Sequence, residues 1–290
     1  TDVPYTNFGG SALIPSVAVG LADGTLFMST IDGGSTVNVT IDDNPDSVDR
    51  DSDFDNGIIA HEYGHGVSNR LTGGRNNVNC LGHSEQAGEG WSDWWTLSLF
   101  PLPSDTRTTV RGIGNYATFR PIDGDGIRNY PYSTDMSVNP QTYADIGATN
   151  IPHGVGEIWA AMLWEMYWNL VDRYGFDADL YGGSGGNNLA IQLVIDGMKL
   201  QPCSPTFVQA RDAILAADQA SNAGANECEI WNAFAKRGLG FSATAGGTGV
   251  GDETEAFDLP AGVPSVCVGS RIMSDGFESG DTSAWSSSVP

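Results

Sequence analysis

The sequence predicts an α+β protein. A small β-rich N-terminal lobe is expected over residues 1–54, a mainly helical lobe over 55–260, and a loop-like tail over 261–290. Three observations carry this. Residues 25–31 and 36–41 alternate weakly in polarity around Gly33-Gly34, as the strands of a hairpin do. From residue 55 onward the apolar positions recur at helical spacing. Residues 240–290 are rich in Gly, Ser and Thr and show no such period.

The elements follow in chain order. Asp55 or Asn56 can cap a helix that runs through Ile58 and Ile59 to about Leu71, where Thr72-Gly73-Gly74 stops it. A second helix spans about Glu85 to Phe100 and ends at Pro101 and Pro103. Residues 101–152 hold many Gly, Pro, Asn and Tyr residues and read as long loops, a length usually tied to function. A third helix, roughly Val155 to Tyr174, is apolar almost all round and belongs in a core. Its tryptophans, with Trp91, Trp94 and Trp95, read as core. Three more helices are predicted near 188–200, 206–219 and 227–237, with Thr206 and Gln209 as a capping box.

Composition narrows the function. Acidic residues outnumber basic ones 36 to 13, a formal charge of −23. That charge repels phosphate backbones and anionic membrane surfaces, so neither nucleic acid nor membrane is an expected partner. No apolar run reaches the ~18 residues of a membrane span. The longest, Ile158 to Val171, is short and contains Glu165. The chain opens Thr1-Asp2 without a basic and apolar leader, so any secretory signal is expected to be gone. Cys80, Cys203, Cys228 and Cys267 are widely spaced, with no CxxC pair. An even count in an acidic, lysine-poor chain points to two disulfides and a secreted protein. Three pairings are open. A monomer is expected.

The informative segment is His61-Glu62-Tyr63-Gly64-His65. Chance would produce this H-E-x-x-H roughly 0.002 times in a chain of this composition. On a helix, positions i and i+4 share a face, so both imidazoles can reach one metal ion. Glu62 stands beside that site as a base. A catalytic zinc needs a third protein ligand and one seat for water. Spacing alone leaves Glu85, Glu89, Asp93 and His83 as candidates. Glu85, Glu89 and Asp93 lie four apart on one helix face, which suits a ligand followed by an acid that orients a histidine through its free N–H. Gly88 and Gly90 flank Glu89 and permit close helix approach, which favours Glu89 as ligand and Asp93 as the orienting group.

The stretch from Arg50 to Gly74, containing Asp-Asn-Gly-Ile-Ile-Ala-His-Glu-Tyr-Gly-His, resembles the fungalysin family of secreted zinc metallopeptidases. So do Gly88-Glu89-Gly-Trp-Ser-Asp93, Tyr130–Met136, His153-Gly-Val-Gly-Glu-Ile-Trp-Ala160, Cys203–Asp212 and Trp231–Gly240, so that the likeness covers residues 50–240. It implies a thermolysin-like two-lobed fold with the metal on the floor of the cleft, and a zymogen whose propeptide has been removed. It carries over His61, His65 and Glu89 as ligands of one catalytic zinc and Glu62 as base. The expected activity is hydrolysis of internal peptide bonds of proteins or peptides by a zinc-bound water that Glu62 activates.

His153 is the best candidate to stabilise the oxyanion: it stands far from the zinc segments in sequence, at the start of the buried third helix. Tyr143 and Tyr132 are phenols of the same loop region and further donor candidates, with packing as the plainer role. Arg128 could hold a substrate carbonyl; a surface ion pair is the plainer expectation. His83 reads as a loop residue. Asp49, Asp51, Asp53 and Asp55 alternate before the active-site helix and could ligate a structural calcium, although the glycine of an EF-hand loop is misplaced by one. A solvated acidic loop serving the helix N-terminus is the alternative. Two rival functions stay open: an exopeptidase on the same zinc site, and a catalytically inactive calcium-binding or adhesion module.

Overall fold

The computed structural model describes residues 21–36 and 50–267. Backbone contacts divide the chain into two units, Thr1–Asp49 and Arg50–Pro290. In the first unit the described residues form one helix, α1 (Leu21–Asp32). This corrects the expected strand over 25–31. A short apolar run without breakers fits either period, and Gly-Gly serves a hairpin turn and a helix end equally well. Here it ends a helix: Gly34 has φ +80°, its N–H donates to Ile31 O, and Ser35 N–H donates to Thr30 O. The Ser29 and Thr30 hydroxyls bond back to Leu26 O, which suits a helix and not a sheet. Most of the second expected strand, over 36–41, lies outside the described residues.

In the second unit the described residues form six α-helices, α2 (Asn56–Leu71), α3 (Gly88–Leu99), α4 (His153–Tyr174), α5 (Gly186–Leu200), α6 (Phe207–Asn222) and α7 (Glu227–Lys236). Among the described residues no extended strand forms; pairing is confined to isolated bridges such as Arg111 with Tyr132 and Ile113 with Gly126. The fold described is therefore mainly helical.

α4 is the axis. Its Ile158, Trp159, Met162, Leu163, Tyr167 and Leu170 are all fully buried, and it packs against α3, α5 and α7. An all-round apolar helix can only be stable with neighbours on every side. Helix α2 packs on α3 from the far side, giving the order α2, α3, α4 across the site. The predicted caps are present. Asp55 accepts from Gly57 N and Ile58 N at the start of α2, and Thr206 and Gln209 form their capping box on α6.

The long segment between α3 and α4 stays irregular apart from a 3-10 turn at Tyr143–Ala148. Buried charges hold it down. The Arg237 guanidinium, fully buried, donates to Ser133 O, Asn139 O and Gln141 O and pairs with the buried Glu165 of α4 at 2.9 Å. These bonds satisfy carbonyls that have no ladder partner. Two disulfides, Cys80–Cys203 and Cys228–Cys267, tie the loop before α3 to the one before α6, and α7 to the chain after it.

Candidate metal centre

Three helices deliver the site. α2 carries His61 and His65 on one face, α3 carries Glu89 in its first turn, and α4 begins with His153. Close approach between these helices depends on glycine. A Cβ on Gly64 would lie 2.9 Å from Ser92 Cα of α3. A Cβ on Gly90 would lie 2.9 Å from Trp159 Cβ, and one on Gly156 would strike the backbone of Glu89 at 2.9 Å. Gly90 and Gly156 thus bring α3 and α4 into backbone contact beside Glu89. Gly88, the other flanking glycine, faces the side chains of Gln86 and Leu81 and no neighbouring helix.

His61, His65 and Glu89 each present a ligand atom, and these atoms lie within 4.8 Å of one another. His61 Nε2 is 3.2 Å from Glu89 Oε2, and His65 Nε2 is 3.6 Å from Glu89 Oε1. Tetrahedral zinc with bonds near 2.0–2.1 Å sets its ligand atoms ~3.4 Å apart. The two histidine–Glu89 separations bracket that value, and the donor set fits that ion in kind. Among the described residues, no other group of three such side chains converges in this way.

Asp93 occupies the other side of His61. Its Oδ1 accepts from His61 Nδ1 at 2.7 Å, which turns Nε2 toward Glu89, where that nitrogen can hold either a proton or a cation. Asp93 is fully buried. It also accepts two bonds from Arg128, Nε to Oδ2 at 2.6 Å and Nη2 to Oδ1 at 2.7 Å, and one from the Tyr132 hydroxyl. Burial pushes the carboxyl up, yet the Arg128 guanidinium and the His61 bond hold it well below the usual carboxylate range. Burial likewise pulls His61 down, and is outweighed by the Asp93 and Glu89 bonds, which carry it up to about 9. An imidazole between two carboxylates is a strong base toward a proton or a cation.

The other predicted residues are placed as follows. His153 joins the cluster, its Nε2 3.6 Å from Glu89 Oε1 with the side chain half exposed. Glu62 lies on the exposed side of α2, near enough for its charge to act on His65. Tyr143 is not brought to the cluster. It is fully buried, and its hydroxyl donates to Glu85 Oε1 at 2.6 Å. Glu85, a candidate ligand by spacing, also accepts from Phe207 N and belongs to that separate contact. His83 bonds Pro205 O in its loop. The expected surface ion pair of Arg128 is corrected: the side chain is buried, because Asp93 and Glu89 draw it inward. Asp51 and Asp55 are engaged as helix caps, and Asp55 also accepts from Ala117 N.

Sequence reasoning missed Glu157. This carboxylate, one turn after His153 and fully buried, accepts from Asn129 N, Asn129 Nδ2 and Tyr130 N. The available signal was an acidic residue which, like Glu165, interrupts the apolar run of α4.

Comparison with known proteins agrees with this geometry. The profile of the family described as Fungalysin metallopeptidase (M36) matches residues 16–243. An extracellular metalloproteinase of Pyrenophora tritici-repentis is 47% identical over 234 residues, covering 78% of this chain and 34% of the relative. The extracellular metalloproteinase MEP of Leptosphaeria maculans is 44% identical over 264 residues, 82% of this chain and 40% of the relative. That of Neosartorya fischeri is 52% identical over 202 residues, 67% of this chain and 31% of the relative. The chain therefore spans between 31% and 40% of the length of these relatives.

Proposed function

The chain belongs to the fungalysin metallopeptidase family, and from that premise we propose that it is a secreted zinc endopeptidase that hydrolyses internal bonds of protein substrates. The carrying observation is the convergence of His61, His65 and Glu89 with Asp93 bonded behind His61. A zinc ion held by those three side chains supplies Lewis acidity toward water and a peptide carbonyl.

The chain's own residues perform the rest. Glu62, exposed beside the histidines, accepts a proton from the attacking water as its oxygen bonds to the carbonyl carbon. It returns that proton to the amine nitrogen as the C–N bond breaks. His153, next to Glu89 and open to solvent, donates to the carbonyl oxygen as that atom gains charge. Asp93 keeps the Nδ1 proton of His61 in place, and Arg128 and Tyr132 keep Asp93 in place. The buried Tyr143 takes no part in this scheme and acts as a packing residue on Glu85.

Secretion accords with the two disulfides and with the extracellular relatives. Among the described residues no helix is long and apolar enough to cross a membrane. Metal analysis of the purified protein, paired with cleavage of an end-blocked peptide before and after chelation, tests the proposal. One zinc per chain and chelator-sensitive cleavage within the blocked peptide are expected. Cleavage restricted to peptides with a free end would show an exopeptidase instead.

A further inference from the structure

We propose that Glu157 is a positioning residue of the metal centre, clamping the Arg128–Tyr130 segment to α4 so that the Arg128 guanidinium stays seated on Asp93 and Glu89. The inference rests on the zinc-peptidase reading and adds to it a residue outside the ligand group.

The segment after Gly126 is held at its ends by main-chain bonds: Ile127 N to Ile113 O, and Tyr132 paired in both directions with Arg111. Between them, the N–H groups of Asn129 and Tyr130 have no main-chain acceptor. Glu157 takes both, with Oε2 accepting from Asn129 N at 3.1 Å and Oε1 from Tyr130 N at 2.8 Å. Oε2 also accepts from Asn129 Nδ2 at 2.9 Å. A buried carboxylate is costly unless its oxygens are bonded, and here all of its hydrogen-bond donors come from two adjacent residues. An apolar side chain would serve α4 better if packing were the only demand.

The anchored residues directly follow Arg128. Its short bonds to Asp93, 2.6 and 2.7 Å, would not survive a shift of the segment by an ångström. The clamp also fixes spacing across Glu89. His153, one turn before Glu157 on the same helix, approaches Glu89 Oε1 at 3.6 Å. Arg128, bound to the segment that Glu157 holds, approaches Glu89 Oε2 at 3.3 Å. One carboxylate thereby ties together the carriers of both groups that flank the third ligand.

The test uses the whole chain as wild type, Glu157→Gln, Arg128→Met and the double variant. Glutamine keeps the shape but faces the Asn129 donors with a donor of its own. Three quantities are read: amide exchange of residues 127–132, the zinc dissociation constant by chelator competition, and kcat and KM on an end-blocked peptide. Glu157→Gln is expected to speed exchange of 127–132 about tenfold with α5 and α6 unchanged, to weaken zinc binding about tenfold, and to lower kcat more than it raises KM. Acting through Arg128, it should add less than about twofold to the zinc loss of Arg128→Met.

Asn129→Ala, which deletes one bond of the three, should move exchange and zinc affinity in the same direction by a smaller factor, and it serves if Glu157→Gln does not accumulate. Folded Glu157→Gln with wild-type exchange and zinc affinity overturns the proposal, as do effects of Glu157→Gln and Arg128→Met that multiply. A wild-type chain that binds no zinc and cleaves nothing overturns the peptidase reading instead. In that case exchange across the four variants still decides whether Glu157 clamps the segment.

Discussion

Asp93 holds His61 by the ring nitrogen that does not face Glu89: Oδ1 lies 2.7 Å from Nδ1, while Nε2 lies 3.2 Å from Glu89 Oε2. The imidazole is thus fixed in tautomer and in rotation by a carboxylate that Arg128 and Tyr132 saturate on its remaining positions. Asp93→Asn removes the charge that Arg128 and His61 both use. Zinc affinity should fall 10- to 100-fold, measured by chelator competition. The fold should lose roughly 3–5 kcal/mol, because buried Arg128 loses its nearest counter-charge and keeps only Glu89 at 3.3 Å, measured by denaturant melts.

Glu62→Gln separates base from ligand. Zinc content should match the wild type, because Glu62 lies outside the group of His61, His65 and Glu89. The turnover number on a casein or peptide substrate should fall by about 10²- to 10⁴-fold. Near-normal turnover would remove Glu62 from the role of base.

Glu85 gives a pH signature independent of the metal. Burial raises its carboxyl from 4.5 to about 7, against the opposing bonds from Tyr143 and Phe207 N. The folded state therefore holds this proton more tightly than the unfolded chain. Its contribution is fully present below about pH 4.5, declines through the window from 4.5 to 7, and is lost above it. Across that window the shift corresponds to about 3 kcal/mol. Glu85→Gln should gain about that much stability relative to wild type between pH 4.5 and pH 8. A wild-type-minus-variant difference that stays flat with pH would show that this proton is not retained on folding.

Gly156→Ala tests the helix crossing. The added methyl meets the backbone of Glu89 and not a flexible side chain, so α3 and α4 must separate. Stability should drop by about 1–3 kcal/mol, and zinc should bind more weakly because Glu89 moves with α3. Thermal melts with and without added zinc read both effects.

The helix cores, the caps and the histidine pair of the candidate site are legible in the sequence because each has a local signature, whereas Glu89 stands out from Glu85, Asp93 and His83 only by its flanking glycines and the family resemblance. The i, i+4 histidines, the cap at Asp55, the Thr206–Gln209 box and the all-apolar face of α4 all lie within one or two turns of chain. What was not legible depends on separation. Arg128 and Asp93 are 35 residues apart and Glu157 and Asn129 are 28 apart, with an irregular segment between, so no period links them. Tyr143 is a donor candidate in the sequence with packing as its plainer role, and only its stacking on Phe207 and its bond to Glu85 place it away from the cluster. The α1 segment was misread because its Gly-Gly end fits two structures, and its exposed Leu26, Met28 and Ile31 give a weak helical face.

The most direct measurement is anomalous diffraction at the zinc absorption edge from crystals grown with zinc. A single peak bonded to His61 Nε2, His65 Nε2 and a Glu89 oxygen, with the fourth position free of protein atoms, is the expected result. No peak among those three side chains, or a protein group filling the fourth position, contradicts a catalytic zinc at this site.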